Sequence, residues 1–328
     1  MIDLELARPA RRVVEELAAV EPDEETLVVV DPGAVDLGRA LAAASRAAGG
    51  TAVLSVLPRQ GGHGEEPPAT VAGAMREADV VFAANEHSLT HTRARRAAAE
   101  AGARVLVLRG VTPEMMTAGA MTADFATVRE TTALVCGALS AAGTARVTAP
   151  AGTDVEASLA GRSAIPLDGF FHDYGFANLP PGLAVTSPVE GTARGTVVLD
   201  HSMDALGPLG EPIELTVEEG RATAVDGGRD ADELRELLAA GSGDPYNLAE
   251  LALGTNPDAR LTHNLAECKK RLGVLDVALG DNTSIGGTTE SSVHLDAIVT
   301  RPTVVLDGTT VVADGELDRE ALRAVADG

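Results

Sequence analysis

Aromatic residues and positive charge are both scarce in this sequence. The 328 residues include no Trp, two Tyr and five Phe, so side chains on which nucleic-acid bases could stack are few. The formal net charge is -23 at pH 7, and a chain of this charge repels a phosphate backbone. These two features argue against a nucleic-acid-binding protein, and we expect no nucleic-acid partner.

Cysteines and long apolar runs are scarce as well. Cys136 and Cys268 are too few for a disulfide framework and lack the spacing of metal ligands. No run of about 18 apolar residues occurs, and the first residues, "MIDLELARPARRVVEEL", are charged where a secretory signal would be apolar. The sequence therefore predicts a cytoplasmic protein with no membrane partner.

Lysine is the rarest basic residue. Of the 26 Lys and Arg residues, only Lys269 and Lys270 are Lys, and they are adjacent in "CKK". From the sequence alone this indicates a compositional bias and no mechanism.

The length and the pattern of apolar segments predict two domains, residues 1–145 and 146–328. A chain of 328 residues exceeds the size, about 250–300 residues, at which one hydrophobic core stops growing. In the first part, the apolar runs "TLVVVD" and "TAVLSVLP" flank the Ala-rich stretch "AVDLGRALAAASRAAGG", which is typical of a βαβ unit. We therefore predict an N-terminal parallel sheet with flanking helices.

The second part has a different pattern. Segments such as "GTVVLDHSM" and "PIELTVEEGRATAVDGG" are short and rich in Val, Thr and Gly, as in hairpins of a mixed sheet. Further along, the pattern predicts helices over "YNLAELALG" and "LTHNLAECKKRLG", then strands at "VLDVALG" and "HLDAIVT". The predicted fold class is therefore α/β, with a C-terminal mixed α+β domain.

The stretch "SSVHLD" carries the strongest chemical signal. In an extended strand, residues two apart point to the same face, so His294 and Asp296 present an imidazole and a carboxylate side by side. Glu250 and Asp276 lie upstream on elements that could converge there, and a divalent cation accepts such a mixture of nitrogen and oxygen ligands. The alternative is a solvent-facing, hydrogen-bonded His–Asp pair without metal.

Several blocks occur in an order that resembles the M29 aminopeptidases of the aminopeptidase T type. They are "EHSLTHTRARRAAAEAGARV", "GVTPEMMTAGAMTADF", "AGTDVEASLAGR", "GFANLPPGLAVTSPVEGTARGTVVLD", "AELALGTNP", "VALGDNTSIGG" and "HLD". The resemblance implies a two-domain metallopeptidase, usually a homodimer, with two divalent ions and a peptide or small-molecule substrate. The C-terminal domain, residues 146–328, would then be the metal-binding catalytic domain.

The resemblance also assigns metal ligands. Glu250, His294 and Asp296 match ligand positions of the family, whereas Leu183 and Asp276 stand where the family has a ligating Glu and a ligating His. The family's ligating Tyr has no clear counterpart, the nearest residue being Thr283. With these ligands replaced, we predict a single divalent ion, Zn, Mn or Co, on Glu250, His294 and Asp296.

A second resemblance is to the related 2,5-dihydroxypyridine dioxygenases. Their tail is similar to "GDNTSIGGTTESSVHLD", and they resemble M29 proteins reduced to one ferrous ion on two His and one Asp. Glu250 stands at the position of their first His, so the ligand set here has one His and two carboxylates. This resemblance implies ferrous iron, Fe(II), as the cofactor.

These patterns leave several functions open. The leading hypothesis is a hydrolase of the M29 type acting on a peptide or small amide, with Asp276 or Glu290 taking a proton from metal-activated water. The alternative is a ring-cleaving dioxygenase with His91 or His172 as acid or base, His172 preceding Asp173 and Tyr174 in an aromatic loop. A biosynthetic enzyme on the same fold and a metal-free protein complete the hypotheses.

Overall fold

The computed structural model describes residues 4–62, 64–172 and 175–328. Its α-helices are α1 (Leu4–Arg12), α2 (Val35–Ala47), α3 (Ala69–Glu77), α4 (Arg93–Glu100), α5 (Pro113–Ala118), α6 (Phe125–Ala141), α7 (Arg229–Ala240), α8 (Leu265–Cys268) and α9 (Arg319–Asp327). None of these helices is long and apolar enough to cross a membrane.

The β-strands are short and concentrate in the second half of the chain. They are β1 (Glu25–Val30), β2 (Thr51–Val56), β3 (Val80–Ala84), β4 (Arg104–Leu108), β5 (Thr144–Thr148), β6 (Asp154–Ser158), β7 (Ile165–Leu167), β8 (Phe176–Leu179), β9 (Leu183–Thr186), β10 (Arg194–Leu199), β11 (Ser202–Met203), β12 (Gly207–Pro208), β13 (Ile213–Glu218), β14 (Arg221–Asp226), β15 (Leu248–Gly254), β16 (Leu275–Gly280), β17 (His294–Val299), β18 (Thr303–Leu306), β19 (Thr309–Ala313) and β20 (Glu316–Leu317).

The N-terminal unit comprises residues 1–129 and 167–181. Its described residues form a parallel sheet in the order β2-β1-β3-β4-β8. Alternate residues of the central strands belong to two separate hydrophobic clusters, Val28 to one and Val29 to the other. A sheet buried on both faces in this way explains the continuous apolar run "TLVVV".

The C-terminal unit comprises residues 130–166 and 182–328. Its two sheets have the orders β14-β13-β10-β6-β5-β18-β19-β20 and β12-β11-β17-β16-β15-β9-β7. Apolar side chains of both sheets form one cluster, to which Val147, Val197, Leu251 and Val277 belong. The predicted fold class is confirmed, because a parallel sheet with helices is joined to a unit of largely antiparallel sheets.

The chain passes between the two units more than once. Strand β8 follows three strands of the C-terminal unit and yet pairs with β4 in the parallel sheet. The domain division predicted from the sequence has a single boundary, after residue 145. Local apolar patterns do not reveal that β8, a strand later in the chain, pairs with β4 in the N-terminal sheet.

Strands β15, β16 and β17 are antiparallel neighbours and position the acidic residues of "AELALG", "VLDVALG" and "SSVHLD". Ala278 in β16 is paired with Glu250 in β15 on one side and with Asp296 in β17 on the other. A bulge between Leu248 and Glu250 shifts the register of β15. Bulges of this kind redirect side chains next to functional sites.

The helix predicted over "YNLAELALG" is wrong, because this stretch contains strand β15. Every residue of β15 is buried, so the strand shows no alternation of polar and apolar residues. Its leucines at positions 248 and 251 imitate a helical period, and a short buried run cannot be assigned from periodicity alone.

The segment of residues 269–274 is attached to the end of β15 by backbone hydrogen bonds. The N–H of Gly254 donates to the carbonyl of Val274, and the N–H of Asn256 donates to the carbonyl of Lys270. Gly254 permits this close approach, because a Cβ at this position would lie 2.0 Å from the carbonyl oxygen of Arg271. The segment is therefore held directly beside the strand that carries Glu250.

We expect Gly254→Ala to destabilise the protein by about 3 kcal/mol, because the added methyl group meets backbone that cannot rotate away. Gly73→Ala is the matched control: Gly73 lies within α3, has open space around it, and should gain about 0.5–1 kcal/mol from the better helix former. Urea unfolding of both variants tests this, and equal stability of the two would contradict the packing argument.

Candidate metal centre

Three predicted ligands lie together in the C-terminal unit. The Nε2 atom of His294 lies 3.1 Å from Asp296 Oδ1 and 3.4 Å from Glu250 Oε2. One ligand atom from each residue lies within 4.8 Å of the other two, so these three residues, the triad, could hold a metal ion. Glu250 and Asp296 are buried, whereas about a third of the His294 side chain is exposed.

The orientation of the His294 ring is fixed by a contact of its Nδ1 atom. Its Nδ1 lies 2.7 Å from the backbone carbonyl oxygen of Asp281, and because this oxygen only accepts, Nδ1 carries a proton. Nε2 is thereby the atom directed at the two carboxylates. Metal-ligating histidines in proteins are oriented in the same way, by a carbonyl or carboxylate on the second nitrogen.

The carboxylates change the protonation of His294. Desolvation alone would lower its pKa, but the hydrogen bonds and negative charges of Asp296 and Glu250 outweigh it and raise the pKa of His294 well above its usual value. A proton on Nε2 therefore balances negative charge at the position where a metal ion would bind. A metal bound to Nε2 would release this proton.

Asp276 lies on the same face of the sheet, in β16, and is fully buried. Within the described residues neither of its carboxylate oxygens has a hydrogen-bond partner, although Oδ2 lies 3.3 Å from Lys269 Nζ. Burial raises the pKa of Asp276 well above its usual value, and the nearby Lys269 charge opposes that rise. Its predicted role as a catalytic base stays a prediction.

Lys269 and Lys270 are functional candidates that sequence reasoning missed. They follow α8, and the Nζ atom of Lys269 forms an ion pair with Asp296 Oδ2 in addition to its contact with Asp276. Lys270 is buried, which together with the charge of Lys269 lowers its pKa to about 7. The only signal in the sequence is that the two lysines of the chain are adjacent.

The residues present fit a divalent metal ion. Glu250, Asp276 and Asp296 place three carboxyl groups in one buried cluster, and the oxygens of Asp276 have no hydrogen-bond partner among the described residues. Buried carboxylates without hydrogen bonds are costly unless a cation accompanies them. One imidazole nitrogen and several carboxylate oxygens suit a hard or borderline divalent ion.

The loop between β16 and β17 is held by a second charged group. Glu190 Oε1 accepts hydrogen bonds from the backbone N–H of Thr288 at 2.7 Å and from Asn282 Nδ2 at 3.0 Å. Arg162 pairs with the other Glu190 oxygen and donates to the carbonyl of Gly286. These contacts fix the glycine loop that precedes His294.

His91 and His172, predicted as acid or base, belong to the N-terminal unit. His91 is exposed and lies just before α4, and His172 Nε2 lies 3.0 Å from Oδ1 of the buried Asp168. Their catalytic roles stay predictions. Asp173 and Tyr174, in the same predicted loop as His172, lie outside the described residues.

Glu290 and Leu183, the two other residues discussed for the site, differ in their exposure to solvent. Glu290 is exposed, in the loop between β16 and β17. Leu183, at the position of a ligating Glu in the M29 resemblance, is a fully buried apolar residue that pairs with Gly254.

Fold and site together define a two-unit α/β protein with a buried carboxylate–histidine centre suited to a metal ion. A family model described as 2,5-dihydroxypyridine 5,6-dioxygenase matches residues 13–319, nearly the whole chain, and the chain belongs to that family. A 2,5-dihydroxypyridine 5,6-dioxygenase of Pseudomonas putida is 30% identical over 187 residues. This alignment spans 52% of the chain and about half, 53%, of that relative.

Solved structures support the same fold. The 2,5-dihydroxypyridine dioxygenase from Pseudomonas putida KT2440 matches with a TM-score of 0.80 at 20% identity, over 95% of this chain and 96% of the other. AmpT from Thermus thermophilus matches with a TM-score of 0.67 at 18% identity, over 95% and 98% of the two chains. The family model thus confirms the dioxygenase branch of the resemblance, and AmpT shares the fold.

The leading functional hypothesis from the sequence, an M29-type hydrolase, is wrong. The family model and the curated relative both name a dioxygenase, whereas the AmpT likeness, at 18% identity, extends to the fold alone. The hypothesis gave most weight to blocks that maintain a shared architecture, and architecture does not determine the reaction. With the family known, the triad supports a metal ion as the cofactor.

Replacing His294 should strongly weaken metal binding. We expect His294→Ala to weaken binding of a divalent ion more than about 100-fold, because the loss of a direct ligand exceeds the loss of a supporting contact. His201→Gln is the matched control, because His201 lies in the same unit and its Nε2 contacts the carbonyl of Thr262. Titration calorimetry measures both, and unchanged affinity in His294→Ala would exclude the triad as the site.

The Glu190 contacts predict a specific dependence of stability on pH. Burial raises the pKa of Glu190, but the hydrogen bonds from Thr288 and Asn282 and the charge of Arg162 outweigh it and lower the pKa from 4.5 to about 2. The stabilisation is therefore present above pH 4.5 and is lost as the pH falls towards 2, and it amounts to at most about 3 kcal/mol.

We expect Glu190→Gln to lower the free energy of unfolding by about 1–3 kcal/mol at neutral pH, with a difference from the native protein that shrinks below pH 4.5. Asp154→Asn is the control, because its ion pair with Arg146 is exposed and contributes less than about 1 kcal/mol. Denaturant unfolding at several pH values tests this. A Glu190→Gln effect that is constant across the range would contradict the assignment.

Proposed function

We propose that this protein is a ring-cleaving dioxygenase that acts on a dihydroxylated pyridine or a closely similar aromatic ring, with one ferrous ion on Glu250, His294 and Asp296. The observation that carries the proposal is the triad, found in a chain that the dioxygenase family model matches from residue 13 to residue 319. A facial set of three protein ligands with open positions is typical of non-haem iron oxygenases.

A ferrous ion, when bound, supplies the redox chemistry that lets O₂ react with an aromatic ring. The protein's own contribution is to hold the ion and the substrate away from bulk water. Glu250, Asp276 and Asp296 are each less than 5% exposed, so these groups lie in a medium shielded from bulk water. Electrostatic interactions are stronger in such a medium.

The charges of the site suit an ionised ring hydroxyl. A divalent ion, when bound, adds two positive charges beside the carboxyl groups of Glu250, Asp276 and Asp296. A hydroxyl group of the substrate would therefore be stabilised as its anion.

Glu250 distinguishes this centre from the ligand set implied by the resemblance, two His and one Asp. A carboxylate in place of an imidazole adds a negative charge and still offers a good donor to iron. We expect Glu250→His to retain one ferrous ion per chain and Glu250→Ala to lose it, as measured by elemental analysis after anaerobic loading. Loss of iron in both variants would show that the carboxylate of Glu250 is itself required.

Other predictions from the sequence concern the substrate, the proton-transfer residues, the oligomeric state and the location of the protein. A small aromatic ring fits the expected small-molecule partner, and the acid or base roles of His91 and His172 stay predictions. The homodimer and the cytoplasmic location expected from the sequence stay predictions.

The direct test is oxygen uptake. Protein loaded anaerobically with ferrous ion should consume one O₂ per 2,5-dihydroxypyridine, with loss of the ring's ultraviolet absorbance and both atoms of ¹⁸O₂ in the product. His294→Ala should lose this activity, and the control His201→Gln should retain it. Iron-loaded protein that leaves the ring and the O₂ intact would contradict this substrate class.

A further inference from the structure

The two lysines of the chain, out of 26 basic residues, are adjacent, and Lys269 lies within the carboxylate cluster. We propose that Lys269 is a fixed cation in the place of a second metal ion and that it limits this centre to one ion. The inference rests on the proposed metal-binding function of the triad. In this role, Lys269 does not bind the metal ion but determines how many ions the centre holds.

The two oxygens of Asp296 face different partners. Oδ1 lies 3.1 Å from His294 Nε2, on the side of the triad, whereas Oδ2 is paired with Lys269 Nζ. The same Nζ lies 3.3 Å from Oδ2 of Asp276. Asp296 therefore connects two adjacent cation positions, one open to a metal ion and the other filled by the ammonium group. In two-metal sites the ions lie about 3.5–4 Å apart.

Asp276 supplies an independent reason for a cation at the second position. Its side chain is fully buried and neither oxygen has a hydrogen-bond partner among the described residues, so the ion pair with Lys269 at 3.3 Å is its contact with a cation, and the charge of Lys270 acts on it as well. Without the ammonium group, Asp276 and Asp296 would be two neighbouring carboxylates able to bind a divalent ion. A buried carboxylate that loses its cation is strongly destabilising.

The backbone around Lys269 keeps the ammonium group in place. The segment that it begins is hydrogen-bonded to Gly254 and Asn256, and Cys268, just before it, is fully buried. The Lys269 side chain is only 14% exposed, so its charge is not free to move into solvent. A metal ion loses translational entropy when it binds at this position, whereas the ammonium group is already held there by the chain. The ammonium group therefore competes with a metal ion without this entropic cost.

The choice of Lys over Arg supports the same role. The chain uses Arg for almost all of its other positive charges, including its exposed ion pairs with Asp and Glu. A lysine ammonium is a compact point charge, whereas a guanidinium is a planar fork. Of the two, the ammonium is closer in shape to a metal ion between two carboxylates.

The test is metal stoichiometry in Lys269→Met, a neutral side chain of similar length. After anaerobic loading with excess Mn²⁺ and desalting, we expect one ion per chain in the native protein and two in Lys269→Met. Elemental analysis gives the count. Electron paramagnetic resonance should change from the hyperfine pattern of isolated Mn²⁺ to the signal of an exchange-coupled pair, which a general loss of stability would not produce.

Two further variants locate the second ion. Lys269→Arg keeps the positive charge and should bind one ion, and the double variant Lys269→Met/Asp276→Asn should return to one ion because the second carboxylate is neutral. If Lys269→Met does not fold even with Mn²⁺ present, Lys269→Gln takes its place, since its amide can donate to Asp296 without carrying a charge.

The outcomes separate this inference from the proposed function. One uncoupled ion in the neutral Lys269 variant would overturn the role of Lys269 and leave the single-metal centre intact. No metal in the native protein would overturn the proposed metal function and the inference with it. Two ions in the native protein would overturn the inference and the single-ion stoichiometry, and would leave the triad as a metal site.

Discussion

The site depends on the cost of placing three carboxylates on one face of a buried sheet. Glu250, Asp276 and Asp296 lie on neighbouring strands whose other face packs into the apolar core, and each is almost inaccessible to water. Such a cluster is stable only with positive charge beside it. The described structure supplies that charge from His294 with its raised pKa and from Lys269.

The geometry of this charged cluster depends on residues that are far apart in the sequence. The small Ala278 between Glu250 and Asp296 lets the two carboxylates approach one position from neighbouring strands. Gly254 admits the segment that begins with Lys269 to the edge of the same site. A bulge, an alanine and a glycine thus contribute to the geometry of the centre together with the charged residues.

The sequence predicted those parts of the site that depend on local periodicity. His294 and Asp296 share a face because the strand repeats every two residues, and the parallel sheet followed from apolar runs alternating with Ala-rich helices. Glu250 is a candidate from its upstream position and a ligand through the resemblance, although its strand is predicted as a helix. Lys269 could not be predicted, because its position depends on a turn after α8 and on Gly254, which lies fifteen residues earlier in the chain. The proposed reaction rests on the family and not on the shared architecture.

The most direct measurement is anomalous diffraction at the iron absorption edge from crystals loaded anaerobically with ferrous ion. The account predicts a single peak per chain among Glu250 Oε2, His294 Nε2 and Asp296 Oδ1, with the Lys269 ammonium still between Asp276 and Asp296. The absence of a peak at the triad, or a peak bound elsewhere in the chain, would contradict a mononuclear iron centre on these three residues.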